Sequence, residues 1–339
     1  MSESGSTTSA ADSLPEEGPP LRSPVVSVCM ITYNHAPFIA QALDSVLMQE
    51  TDFPYEILIH DDCSTDGTTE IVRAYAARHP ERIRPVYQKE NQYSKGRKAT
   101  PQLFKMARGK YIALLEGDDA WTDPHKLSCQ AALLEARPDF VMCYGNVAIV
   151  DAEGRSLGEN KIPPEYCRDL EPEEIIRYRC VIPTSTLMFR PPTDLHDWFG
   201  NVNRVLNGDS FLFAMLARYG GAGFLDFSPS LYRQHPGGIY STMDLDRRHV
   251  ESIRTMKVIR GCIGRAYRPW ITETIAEAYA GRSEHLRRAG RYAGLLWNIL
   301  SLLCFAVLRR GAGGFRRDAW EALRQLRKVL TRRGGAAAP

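Results

Sequence analysis

The sequence predicts an α/β protein: a doubly wound, mostly parallel sheet with flanking helices, followed by a helical C-terminal region. Three observations carry this. From residue 24 to 121, short apolar runs alternate with segments whose apolar residues recur at helical spacing. Three of the first four apolar runs end abruptly in polar groups: Thr32-Tyr33-Asn34, Asp61-Asp62 and Glu116-Gly117-Asp118-Asp119. Beyond about residue 245 the spacing is helical throughout.

The elements follow in order. Residues 24–34 (PVVSVCMITYN) read as a strand that breaks into polar residues. Residues 37–49 read as a helix, with Pro37 suited to its start. Tyr55 to Ile59 form the second strand, running into Asp61 and Asp62. Asp66-Gly67-Thr68 is turn and cap chemistry before a helix that stops at Pro80, and RIRPVYQ is a shorter third strand. Residues 101–108 are expected to be helical, with Gly109 as the C-terminal stop. Tyr111 to Leu115 give the fourth strand. Met142 to Tyr144 with Val147 to Val150, and then residues 181–190 (VIPTSTLMFR), read as further strands. SFLFAMLARYG is an apolar helix ending at Gly220, which Asp209 is placed to cap.

In open parallel sheets, ligands bind outside the carboxyl ends of the strands. The polar groups at residues 32–34, 61–62 and 116–119 are therefore expected on one rim. Neither GxGxxG after the first strand nor GxxxxGK[ST] anywhere occurs, which disfavours a dinucleotide dehydrogenase or a P-loop enzyme. Clustered carboxylates raise one another's pKa or require a counter-cation. An acidic rim meets phosphate through a divalent metal, and oxygen ligands suit Mg²⁺ or Mn²⁺. Lys95, Arg97 and Lys98 lie in the polar loop before the fourth strand, either as a solvated charge run or as diphosphate neutralisers.

Five ordered segments resemble the inverting glycosyltransferase family 2: VSVCMITYNHAPFIAQALDSVLMQ, EILIHDDCSTDGTTEIV, GKYIALLEGDDAW, NGDSFLFAMLARYG and LYRQHPGGIYS, together covering roughly residues 24 to 242. The resemblance implies a GT-A-like fold and metal-dependent transfer from a nucleoside-diphosphate sugar, UDP being favoured. The acceptor implied is a hydroxyl of a saccharide or lipid-linked molecule, in surface-polysaccharide assembly at the cell envelope. It also implies roles. Thr32, Tyr33 and Asn34 join the donor site, with Tyr33 stacking on the base. Asp62 hydrogen-bonds the base, and Asp61 lies beside the ribose. Asp118 matches the last acid of the DxD motif and binds Mn²⁺ or Mg²⁺. Glu116 stands at the motif's first position, as ExD, and reaches towards the ribose. Asp119 supports the sugar or the acceptor. Asp209 matches the general base, with Gly208 where the family often has Glu. His235 is placed near the metal or the diphosphate, and Thr184 and Ser185 border the acceptor. LYRQHPGGIYS lacks the Gln-x-x-Arg-Trp motif of processive synthases, implying one sugar added per encounter.

Three regions are expected: residues 1–23 disordered, 24–244 the catalytic domain, and 245–333 a basic helical region. The first is rich in Ser, Gly, Pro and acids and has neither basic nor apolar signal-peptide regions. The chain has a formal net charge of +3, yet residues 281–339 hold 13 basic residues against three acidic. Within them, residues 292–308 are apolar nearly all round, broken by Asn298 and Ser301. Seventeen residues at ~1.5 Å each fall short of a ~30 Å hydrocarbon core. The segment is either a core helix of a small bundle or an interfacial element held to an anionic membrane by residues 281–333. The eight cysteines form no CxxC pair and read as small buried hydrophobes in a reducing compartment. The expected location is cytoplasmic, peripheral at the inner face of the plasma membrane, with no nucleic-acid partner. Competing readings are a sugar nucleotidyltransferase and a catalytically inactive sugar-nucleotide scaffold. The first would want a Gly-rich basic loop where TYNHAP stands.

Overall fold

The computed structural model describes residues 23–177, 182–238 and 243–307. The expectations for residues 1–22 and for the basic tail beyond 307 lie outside them.

The chain opens with β1 (Val26–Thr32), α1 (Ile39–Leu47), β2 (Tyr55–Asp61), α2 (Thr68–Arg78) and β3 (Ile83–Tyr87). It continues through α3 (Thr100–Met106), β4 (Tyr111–Glu116), β5 (Ala120–Trp121), α4 (Lys126–Ala136), β6 (Phe140–Val150) and β7 (Ser156–Asn160). Then come α5 (Pro172–Arg177), β8 (Met188–Phe189), α6 (Phe199–Val202), α7 (Gly208–Leu216) and β9 (Gly221–Arg233). Three longer helices finish the described chain: α8 (Leu245–Cys262), α9 (Arg268–Arg288) and α10 (Tyr292–Val307).

One mixed sheet runs in the order β3-β2-β1-β4-β8-β6-β9-β5, with β7 on β6. Its first four strands are parallel, as the alternating pattern requires. Val28, Met30, Ile57, Ile59, Ala113 and Leu115 pack on one face under α1, α2 and α4. The intervening Cys29, Leu58, Ile112 and Leu114 join the opposite core, with residues of α3, α5, α7, α8 and α9. The period-two alternation thus sends each strand's apolar side chains into two cores, so helices must cover both faces.

Register fixes the rim. Thr32 pairs with Asp61 and Ile31 with Glu116, so the polar ends of β1, β2 and β4 share one edge. Just beyond, Asn34 (φ 54°) and Cys63 (φ 64°) are left-handed, unusual for residues other than glycine. Both lie in a stitched pair of loops. The Asn34 amide donates to Ser64 Oγ, the His35 amide to Thr68 Oγ1 and the Ala36 amide to Asp66 Oδ2, while Asn34 Oδ1 accepts from the Thr65 amide.

Four expectations change. Residues 184–186 form a 3₁₀ turn and the strand there is only Met188–Phe189, because Thr186 turns back to the Pro183 carbonyl. Gly109 is not a helix stop: α3 ends at Met106 with Ala107 extended. Glycine is needed there because a Cβ would lie 2.5 Å from the Ser27 amide nitrogen. Asp209 is not the cap of α7, since Asn207 holds that position and Asp209 sits within the first turn. The cysteines are not uniformly buried: Cys129 and Cys304 are exposed, and those described are free thiols.

Helix α10 packs on α9 with one side buried and the other exposed. Asn298 is fully buried; its Nδ2 donates to the Tyr279 carbonyl and to Ser283 Oγ, and its Oδ1 accepts from Arg282 Nη1. That polar knob docks α10 on α9, as in a bundle. Tyr292, Leu296, Trp297 and Leu300 remain exposed on the outer side. Among the described residues, no helix is long and apolar enough to cross a membrane.

Candidate active site

The rim's centre is the turn from β4 into β5. The Gly117 amide donates to the Ile31 carbonyl and the Asp119 amide to the Glu116 carbonyl. A Cβ on Gly117 would lie 2.7 Å from Thr32 Oγ1 and 3.0 Å from His35 Nδ1, so the middle residue of the ExD triplet must be glycine. Strand β5 then pairs antiparallel with β9, Ala120 opposite Leu231 and Trp121 opposite Ser230. This pairing carries the residues after Leu231 back onto the acids.

Arg233 and His235 are the result. Arg233 is buried; its amide donates to Asp119 Oδ1 at 2.9 Å and its Nε to the Asp118 carbonyl at 2.9 Å. The same guanidinium donates to the Asp151 and Ala152 carbonyls and to Gln41 Oε1. His235 Nε2 lies 3.0 Å from Asp118 Oδ2, and His35 Nε2 lies 3.7 Å from the same oxygen. One ligand atom from each of His35, Asp118 and His235 falls within 4.8 Å of the others.

The electrostatics match this clustering. Burial would raise the Asp118 carboxyl, but the His235 hydrogen bond and the His35 and His235 rings hold it below its usual value. Burial lowers His35, against the pull of Asp118, favouring the neutral ring that a metal needs. Glu116 is raised to about 7 by burial and by the Asp118 charge, and its Oε2 has no hydrogen-bond partner. Burial, Asp118 and Glu116 raise Asp119 well above the carboxylate range. Lys161, stacked over Tyr232 at 3.9 Å, pulls both acids back down. Two imidazoles and a carboxylate fit a divalent cation.

The other expected residues take several places. Thr32 is buried with Oγ1 unpartnered, and Tyr33 is exposed beyond it. Asp61 spends both oxygens locally, Oδ1 accepting from Ser64 and Oδ2 from Thr69 Oγ1. Asp62 accepts from the Gln92 amide at 2.7 Å and the Tyr93 amide at 2.9 Å, holding the 91–95 loop over the rim. Asn34 is occupied by the stitched loops. Asp209 is exposed on the first turn of α7, and its charge reaches Glu116, Tyr232 and Lys98. Lys98 Nζ donates to the Leu206 carbonyl at 2.6 Å, beside Gly208. Ser185 is buried, its carbonyl accepting from Trp121 Nε1 and its hydroxyl from Ser230, whereas Thr184 starts the 3₁₀ turn.

Sequence reasoning missed His35, Lys161 and Arg233 at this site. His35 stands in TYNHAP, one residue past the polar end of β1, and that position was the available signal. Arg233 stands in LYRQHPGGIYS two residues before His235, which was its signal, whereas Lys161 carries no motif signal and only its packing over Tyr232 brings it in.

Residues 27–193 match the profile of Glycosyl transferase family 2. An uncharacterised Mycobacterium tuberculosis protein is 35% identical over 225 residues, 66% of this chain and 62% of that one. This chain therefore spans less than two thirds of that relative. An uncharacterised glycosyltransferase of Nostoc is 31% identical over 168 residues, 49% of this chain and 50% of its own length. Among solved structures, S. aureus TarS 1–349 in complex with UDP-GlcNAc superposes with a TM-score of 0.56 over 93% of both chains. At 17% identity that likeness shows a shared GT-A fold.

Proposed function

Residues 27–193 place this chain in glycosyltransferase family 2, and we propose that it transfers a sugar from a UDP-sugar to a saccharide or lipid-linked hydroxyl with inversion. The observation that carries the reading is the convergence of His35, Asp118 and His235 on one rim, with Asp209 within electrostatic reach on α7. His35, Asp118 and His235 would hold a divalent cation, Mn²⁺ or Mg²⁺, which would supply positive charge for the diphosphate leaving group. Asp62 accepts the imide N–H of uracil on an oxygen that still has a free lone pair, and Tyr33 stacks on the base. Glu116 faces the ribose, and Asp119, fixed by Arg233, supports the sugar.

Asp209 takes the proton of the acceptor hydroxyl. As that oxygen attacks the anomeric carbon, the bond from carbon to the diphosphate oxygen breaks on the opposite face. Thr184, half-buried, is the acceptor-side contact; Ser185 is buried, with its hydroxyl accepting from Ser230. A cytoplasmic site at the inner face of the membrane suits a lipid-linked acceptor, with the exposed side of α10 and the basic residues 281–333 as the contact. The loop after β1 argues against a nucleotidyltransferase: its amides at 34, 35 and 36 are spent on Ser64, Thr68 and Asp66 instead of cradling a triphosphate.

A panel of nucleoside-diphosphate sugars, assayed for nucleoside-diphosphate release with Mn²⁺ and with EDTA, tests this reading. Release from a UDP-sugar only with Mn²⁺ supports it. Pyrophosphate formation from a nucleoside triphosphate and a sugar phosphate would replace it with the nucleotidyltransferase.

A further inference from the structure

A cavity of about 620 Å³ opens between α8, α9 and α10, inside the ~300–1,000 Å³ range of small-molecule sites. Its walls hold four cations: Arg204 before α7, Arg254 and Lys257 on α8, and Arg282 on α9. Arg282 is paired with Asp246. Among the described residues, no carboxylate lies within 4 Å of the other three, and Lys257 Nζ instead donates to the neutral Tyr279 hydroxyl at 2.7 Å. Gathered cations with one counter-acid repel one another and form a standing positive potential, which an anion relieves. Forked guanidinium donors beside a lysine suit phosphate oxygens.

The rim of this cavity is apolar on one side. Val250 and Ser301 line it, and Ser301 Oγ donates to the carbonyl of Trp297, one turn earlier on α10. Trp297 is 67% exposed, and Tyr292, Leu296 and Leu300 continue the exposed face. Asn298 and Leu302 are buried on the opposite side, so the orientation of that face is fixed. The adjoining 490 Å³ cavity shares Arg204 and Lys257 but holds Asp194 and Asp197, which confines an anion to the α9–α10 side.

We propose that this cavity binds the phosphate of a lipid, with the lipid's chain lying on the Trp297–Leu300 face of α10. The combination selects an amphiphile: cations alone would take any anion, and the apolar face alone any hydrophobe. The cavity also adjoins the segment that carries Asp209. Asn203 lines the cavity while its Oδ1 accepts from the Lys98 amide, and the segment from 203 leads directly to Asp209. The inference rests on the proposed function only for this last use; the binding itself involves neither donor nor transfer.

Calorimetry on the full chain with dihexanoyl phosphatidic acid, below its micellar concentration, tests it against inorganic phosphate and dihexanoyl phosphatidylcholine. The expected order is phosphatidic acid at least about 10-fold tighter than either comparator. Arg254→Gln with Lys257→Met should weaken phosphatidic acid about 10-fold or more, as loss of charged hydrogen bonds does. Trp297→Ser should weaken the lipid several-fold and leave phosphate unchanged. Unchanged thermal unfolding and UDP binding in these variants show that they fold. Equal affinity for phosphate and phosphatidic acid would leave a free-anion site and overturn the lipid. Absence of binding, or binding that the variants do not alter, would overturn the site and leave the face to residues 308–339 or a second copy. Failure of transfer in the Asp209 test below leaves this outcome untouched, so the two proposals fail separately.

Discussion

Nε2 of His235 lies 3.0 Å from Oδ2 of Asp118, although 117 positions separate them in the chain. The antiparallel pairing of β5 with β9 makes this contact, and the same pairing seats Arg233 on Asp119. His35 reaches the same Asp118 oxygen from the end of β1. Three distant segments therefore present two imidazole nitrogens and a carboxylate oxygen to one point.

The first prediction follows from that point. His35→Ala and Asp118→Ala should each weaken UDP binding in Mn²⁺ by about 10-fold or more, as loss of a ligand or its support does in metal sites. Wild type in EDTA should bind UDP as weakly as the variants. Calorimetry in Mn²⁺ and EDTA reads both, and equal wild-type affinity in the two buffers would remove the metal from the reading.

Asp209 is the second target. Since Asn207 holds the cap position, Asp209→Asn should leave thermal stability nearly unchanged. Asn cannot accept the proton, so transfer to acceptor should fall by about 10²–10⁴-fold while UDP affinity holds. Near-normal turnover by Asp209→Asn would send the search for the base to Asp119.

Two glycines give a paired test. Gly117→Ala places a methyl 2.7 Å from Thr32 Oγ1 and 3.0 Å from His35 Nδ1, and should cost about 1–3 kcal/mol while displacing the rim. Gly208→Ala meets nothing closer than 3.7 Å and should fold like wild type. Denaturant unfolding of the two variants side by side measures the difference.

At the opposite end of the sheet, Glu56 is fully buried. It accepts from Ser27 Oγ, from the Arg108 amide and guanidinium, and from Arg84. Burial would raise its carboxyl, but these bonds, Arg108 first, hold it below the usual value. A depressed native pKa means stability that is present above the unfolded value of ~4.3 and lost as pH falls through the folded value. Glu56→Gln should cost about 2–3 kcal/mol near pH 7, less than for a wholly buried pair because the Arg84 and Arg108 heads reach solvent. The difference between variant and wild type should shrink below about pH 4; urea unfolding from pH 3 to 7 reads it.

The sequence by itself determined the doubly wound half of the fold and its functional edge. Alternating apolar runs and helical stretches leave little choice but parallel strands covered on both faces, and such strands must deliver their polar ends to one rim. Thr32, Asp61 and Glu116 were legible for that reason: each is local to a strand end, and the register aligns them. Only the tertiary structure decided what completes the site. His35, Arg233 and Lys161 meet the acids through pairings and loop packing between segments far apart in sequence, and no local propensity encodes such contacts. The same holds for α10. Its sequence is apolar nearly all round, so periodicity left its orientation open; the buried Asn298, bonded to Tyr279, Ser283 and Arg282, chose which face is covered. An amide in an apolar setting must find partners, and the geometry that supplies them here turns Trp297 and Leu300 outward.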